Sequence, residues 1–155
     1  MDPDPYCSPL LLFAENVDFH AIAYILLLIL LFMVSALMSG SETALFSLSK
    51  SEIETFRSSR NPSEENVARL LEKPERLLAT ILIVNNFVNI GIVLIFEYLL
   101  RYYLVIEHPV LRVVVSVVLT TFLLVLFGEV LPKVYATGNY KGFSRFASGP
   151  MTVVV

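Results

Sequence analysis

The sequence has 155 residues, is 56% hydrophobic and carries a formal net charge of −3. Its mean hydropathy of +0.74, gathered in long blocks, excludes an ordinary soluble domain, and its basic residues do not cluster with aromatics, so nucleic acid is not an expected partner. Cys7 is the only cysteine, which excludes an internal disulfide framework and a thiolate metal centre.

Residues 1–18 read as an extracytoplasmic leader. Pro3, Pro5 and Pro9 oppose a helix there, and Asp2, Asp4, Glu15 and Asp18 come without Lys or Arg. A secretory signal begins with basic residues, so the first apolar block is expected to stay in the membrane. That block, 19–38, reaches the roughly 20 residues that a bilayer requires. Its character changes at Ser35. Ser35 and Ser39 stack on one helix face, and Ala36, Gly40 and Ala44 form a small-residue stripe beside them. Two readings stay open: close helix contact with hydroxyls bonded back to their own helix, or two hydroxyl ligands on one face.

The polar stretch 45–73 follows. Ser49-Lys50-Ser51-Glu52 and Ser51-Glu52-Ile53-Glu54 both fit a capping box, which predicts a short amphipathic helix over 50–58. Asn61-Pro62-Ser63 reads as a turn and 64–72 as a second short helix, both helices lying on the membrane surface. Pro74 suits the first turn of a second span, centred on 77–100. That span holds Asn85, Asn86 and Asn89 at mid-depth, and amides there are costly unless each finds a partner. Asn85 and Asn89 share a face, Asn86 lies about 100° round, and Thr80 lies on the same helix. Residues 101–108 are a tight connection, so the third span, 109–131, is an antiparallel neighbour.

The third span ends in Phe127-Gly128-Glu129-Val130-Leu131-Pro132-Lys133. An acid at the end of a lipid-depth helix is a functional hypothesis by default. In an α-helix Pro132 leaves the Gly128 carbonyl without a donor. A free carbonyl beside a carboxylate offers two oxygens to a hard cation. The competing reading pairs Glu129 with Lys133 at i+4. Thr137-Gly138-Asn139 and Lys141-Gly142 are turn signals. A fourth apolar segment begins near Phe146 and is broken by Ser148-Gly149-Pro150; the sequence stops inside it, which points to a longer parent protein. His20 and His108 stand alone and read as interfacial residues.

Loop charges set orientation. Lys50, Arg57, Arg60, Arg69, Lys73 and Arg76 follow span one, and Lys133, Lys141 and Arg145 follow span three. The leader has no basic residue and the 101–112 connection has only Arg101 and Arg112. The expected topology puts the N-terminus outside and both basic regions in the cytoplasm. Ser35, Ser39, Asn85, Asn89, Glu129 and the Gly128 carbonyl can then face one bundle interior. Such an oxygen-only set suits Mg²⁺, Ca²⁺ or Na⁺, and a single carboxylate permits release as well as binding.

Ser-x-x-x-Ser-Gly-x-Glu-Thr-Ala, Asn-Asn-x-x-Asn and Gly-Glu-Val-x-Pro-Lys occur on successive spans. In that order they resemble the transmembrane domain of the CorC / cyclin M (CNNM) family of Mg²⁺ transport proteins, over about 22–155. The acidic, proline-rich leader is similar to that of the gliding-motility-associated bacterial branch. The resemblance implies an all-α integral membrane domain over 19–155, with three transmembrane helices per protomer, short cytoplasmic juxtamembrane helices and a homodimer in the bacterial inner membrane. It also implies Mg²⁺ export coupled to Na⁺ influx, through a site open to the cytoplasm whose ligands fall on Ser35, Ser39, Asn85 and Glu129, with Gly128 and Asn89 adjacent. Mg²⁺ or Na⁺ is the expected ion. Glu42 stands where relatives can carry an amide and has a supporting role. Nucleotide is expected to bind only through a CBS pair, which, like the small C-terminal domain of the family, lies outside this sequence. The alternative is a non-transporting scaffold or regulatory domain of a motility or secretion machine. An intramembrane hydrolase built on Ser39 lacks a base, because His20 is about five turns away and His108 lies at the outer interface; the chain is not expected to be an enzyme.

Overall fold

A computed structural model describes residues 19–103 and 106–155. The leader reading and part of the connection between spans two and three lie outside the described residues. The chain forms α1 (Phe19–Phe46), α2 (Lys50–Arg57), α3 (Pro62–Leu70), α4 (Pro74–Tyr103), α5 (Pro109–Leu123), a π-helical segment (Leu124–Val130), α6 (Leu131–Gly138) and α7 (Tyr140–Val154). No strand occurs among the described residues. Three stretches are long and apolar enough to cross a membrane: α1, α4 and the continuous Pro109–Gly138. The chain is an all-α integral membrane domain.

The first span is longer than the apolar block. The stripe Ser35–Ala44 does not end it, because small residues here serve helix contact, and the helix runs on to Phe46. α1 is the middle element, touching α4, the π segment, α6 and α7. Its N-terminal half exposes Leu26, Ile29, Leu30 and Met33, whereas Ser35, Met38, Ser39, Gly40, Ser41, Ala44 and Leu45 are buried. The lipid-like half therefore faces outward, and the half with small side chains is enclosed by protein. At Gly40 the enclosure is tight: an added Cβ would lie 2.5 Å from Cζ of Phe143.

The juxtamembrane helices begin where local chemistry dictates. Ser49 and Glu52 close a capping box, with the Ser49 N–H donating to Glu52 Oε2 at 2.9 Å and the Glu52 N–H donating to Ser49 Oγ at 3.3 Å. The overlapping box at Ser51 falls inside the helix. Asn61-Pro62-Ser63 is a helix start rather than a separate turn. Asn61 Oδ1 accepts the Ser63 N–H at 3.0 Å, and Pro62 loses nothing in the first turn, where its missing N–H has no partner anyway. The apolar sides of α2 and α3 do not simply rest on a membrane. Phe56, Val67, Ala68 and Leu70 join Leu45, Leu77, Ile81, Ala147 and Met151 in one protein core.

The last segment also departs from its turn signals. α6 does end at Gly138, with Asn139 at φ −139° and ψ 48°. α7, however, runs through Lys141-Gly142 and Ser148-Gly149-Pro150 without a break. Burial of Ser144, Ala147, Ser148 and Met151 along one side outweighs the single backbone bond that Pro150 removes. Ion pairs tie α7 to the juxtamembrane helices: Lys141 to Glu52 at 2.7 Å and Arg145 to Glu64 at 2.7 Å, with the Arg145 guanidinium 5.6 Å from the Phe56 ring centre. Tyr140 donates its hydroxyl to Glu52 at 3.0 Å.

Bonds from Lys141, then Ser49 and Tyr140, hold the Glu52 carboxyl at about 2, below its ordinary 4.5. A depressed folded pKa stabilises above the unfolded value and ceases to do so as pH falls through the folded one. Melting temperature is expected to drop as pH falls from 4.5 towards 2, and a Glu52→Gln variant, melted alongside, should lose that part of the dependence. Gly40→Ala should destabilise by about 1–3 kcal/mol through overpacking against Phe143. Thermal denaturation in detergent checks this, and Phe143→Leu in the same chain should recover part of the loss.

Candidate cation site

Ser35, one turn before Ser39 on α1, is fully buried and points at α4. Its Oγ lies 3.0 Å from Oδ1 of Asn85 and 2.9 Å from Oδ1 of Asn89. Both amides are half-buried, while Asn86 is exposed, as its position about 100° round the helix requires. Thr80 takes no part; its hydroxyl returns to the Arg76 carbonyl at 2.9 Å. The hydroxyls on α1 and just after it divide by partner. Ser41, Thr43 and Ser47 bond back to the carbonyls of Leu37, Ser39 and Thr43, whereas Ser35 and Ser39 reach other helices.

The third span closes the other side. A Cβ on Gly128 would lie 2.9 Å from Ser35 Oγ, so only a glycine lets the π segment come this close with Ser35 turned to the amides. Ser39 Oγ lies 3.5 Å from the backbone carbonyl of Glu129, at the limit of a hydrogen bond. Ser35, Ser39, Asn85, Asn89, Gly128 and Glu129 are therefore brought together from three spans.

The backbone around Gly128 differs from the α register expected for it. Leu131 N–H donates to the Leu126 carbonyl, five residues back. In that register the missing N–H of Pro132 falls opposite Phe127 rather than Gly128. π-helical turns of this kind are rare and concentrate at functional sites.

The Glu129 side chain is half-buried and has no hydrogen bond or ion pair among the described residues. The i+4 pairing with Lys133 does not form. Lys133 Nζ instead lies 3.3 Å from Glu42 Oε2 on α1. No group of three or more carboxylate, imidazole or thiol side chains occurs among the described residues, so the oxygens gathered here are mostly uncharged.

A second polar contact between spans escaped the sequence reading. Ser116, buried on α5, donates to the Glu97 carboxylate on α4, and Arg101 Nε bonds the same carboxylate at 3.0 Å. The signal was present: Glu97 interrupts an apolar run with Arg101 four residues on, and Ser116 interrupts a run of valines. His20 lies at the same end of the bundle as this contact, far along α1 from Ser39, beside Tyr24, Tyr98 and Tyr102.

Residues 25–155 match the family model of the cyclin M transmembrane N-terminal domain. A UPF0053 protein of Haemophilus influenzae is 35% identical over 128 residues, which is 82% of this chain and 29% of that protein. The UPF0053 inner membrane protein YfjD of Escherichia coli is 35% identical over 104 residues, covering 66% of this chain and 23% of its own length. The metal transporter cnnm-2 of Caenorhabditis elegans is 32% identical over 111 residues, 69% of this chain and 13% of that protein. The matched part is less than a third of each relative. With most of α1 and everything after it inside the family match, the chain belongs to the cyclin M (CNNM) family, as its transmembrane N-terminal domain.

Proposed function

We propose that the chain carries a divalent cation, Mg²⁺, across the bacterial inner membrane through the cluster of Ser35, Ser39, Asn85, Asn89, Gly128 and Glu129. The observation that supports this most directly is a proton deficit. Ser35 has one hydroxyl proton, yet two amide oxygens lie within 3.0 Å of its Oγ. Turning one amide would satisfy the group with an N–H; a cation among the three oxygens would satisfy it without turning either. The Glu129 carboxylate lies on the facing helix without a partner among the described residues, and hydroxyl, amide and carboxylate oxygens are what a hard cation takes.

One carboxylate and neutral oxygens do not replace a whole hydration shell. Mg²⁺ dehydrates reluctantly and keeps waters when bound, so the resting ion at this site is partly hydrated. The basic loops favour a cytoplasmic location for the end that carries α2, α3 and α7, with the N-terminus outside. From the family resemblance we take the site to open to the cytoplasm and to work in export, driven by Na⁺ influx, in a homodimer. The name of the C. elegans relative, a metal transporter, agrees with cation transport as the general role.

A scaffold reading has its own supporting observation: the Ser35 hydroxyl donating to either amide oxygen joins two spans, as interhelical fasteners do. Mg²⁺ titration of the purified chain separates the two readings. A ligand at a hundred times its Kd stabilises by about 2.7 kcal/mol. The expected outcome is a rise in melting temperature with Mg²⁺ that is lost in Asn85→Ala and Glu129→Ala; no rise in any of the three favours the scaffold. Gly128→Ala should weaken Mg²⁺ binding at least tenfold, about 1.4 kcal/mol, because its methyl group displaces Ser35 Oγ from the amides. Calorimetric titration of the variant checks the magnitude.

A further inference from the structure

Glu129 and Lys133 lie four residues apart, with the acid first, which is the favourable order for an ion pair along a helix. The lysine side chain is long enough to reach back over one turn. It nonetheless turns to Glu42 on α1, with Nζ 3.3 Å from Oε2. Glu42 is three residues beyond Ser39, on the same helix as both serine hydroxyls. Its backbone is held on every side: Gly40 lies against Phe143, and Ser41, Ala44 and Leu45 are buried. The Glu42 side chain, 30% exposed, is less open than that of Lys133 at 45%. The acid is the more enclosed member of the pair and the lysine the more exposed one.

From this arrangement we infer that Glu42 is a positioning residue for the cation site: it holds Lys133 away from Glu129 and so leaves the Glu129 carboxylate free for a divalent ion. The inference rests on the proposed cation site and adds a determinant of its affinity. With Glu42 in place, the ammonium charge is neutralised beside the site. Without Glu42, Lys133 takes the Glu129 carboxylate as its nearest acid, and a divalent ion must displace a cation already there. Glu42 touches the ion in neither case; its effect passes through Lys133.

Four proteins test this, all full-length chains in detergent: wild type, Glu42→Gln, Lys133→Gln and the double variant, with Mg²⁺ alone as probe. Affinity is read by calorimetry and by the Mg²⁺-dependent rise in melting temperature. Glu42→Gln should weaken Mg²⁺ binding about tenfold, as expected for a unit charge moved next to a half-buried site. Lys133→Gln should bind at least as tightly as wild type. The double variant should match Lys133→Gln, because Glu42 has no influence once the lysine is gone. Melting without Mg²⁺ should change little in any variant, since a half-exposed pair contributes little to stability. Equal affinity in wild type and Glu42→Gln overturns the inference, as does an undiminished loss from Glu42→Gln in the Lys133→Gln background, which would make Glu42 act directly. Absence of any Mg²⁺ response in all four proteins overturns the cation site itself and the inference with it.

Discussion

A fully buried hydroxyl must find its bonding partner among the groups packed around it. Ser35 meets that constraint by reaching Asn85 and Asn89 on α4. The rest of the domain follows from where this places α1. It must run between α4 and the third span, its C-terminal half must be small enough to admit both, and its N-terminal half is left free for lipid. Ala36, Gly40 and Ala44 supply the small half; Leu26, Leu30 and Met33 supply the lipid half. The same helix thus separates the spans at one end. At the other end they meet directly through Glu97 and Ser116.

The two ends are fastened differently. At one end Ser116 on α5 bonds the Glu97 carboxylate on α4, with Arg101 beside it. The opposite end has a belt. Glu52 gathers Ser49, Tyr140 and Lys141, Glu64 takes Arg145, and Arg57 reaches Glu72 at 3.4 Å. The basic partners are exposed while the Glu52 and Glu64 carboxylates are half-buried, and all sit over a shared apolar core built from α1, α2, α3, α4 and α7. Burial supplies most of the stabilisation and the ion pairs choose the register. α7 is fixed by this belt, and Phe143 on α7 in turn fixes Gly40 and the backbone that carries Glu42.

Much of this was legible in the chain itself. Long apolar runs are unambiguous, so the three spans could be placed, and Asn85, Asn89 and Glu129 stood out because polar groups are rare at such depth. Ser49 and Glu52 announced a helix start through a local reciprocal bond. What could not be read was set by tertiary contact. Pro150 is a helix breaker by itself, yet the buried side of α7 carries the helix through it. Asn61-Pro62 reads equally as a turn or a cap until the following helix is known. The partner of Lys133 stayed open because the sequence neighbour, Glu129, and the spatial neighbour, Glu42, are different residues. Glu97 was passed over because an acid followed by Arg101 looks like an ordinary helix end.

The π segment has a geometric effect that reaches beyond its seven residues. On an unbroken α-helix, Gly128 would sit about 80° round from Thr120, and a side that buries Ser116 and Thr120 would turn Gly128 away from α1. The wider coil between Leu124 and Val130 absorbs that angular lag, and Ser116, Thr120, Gly128 and Ala136 are all buried. The third span therefore works like two rods joined through a vernier. The upstream rod is aligned on α4, the downstream rod on α1, and one slipped residue reconciles two alignments that no single rod could satisfy.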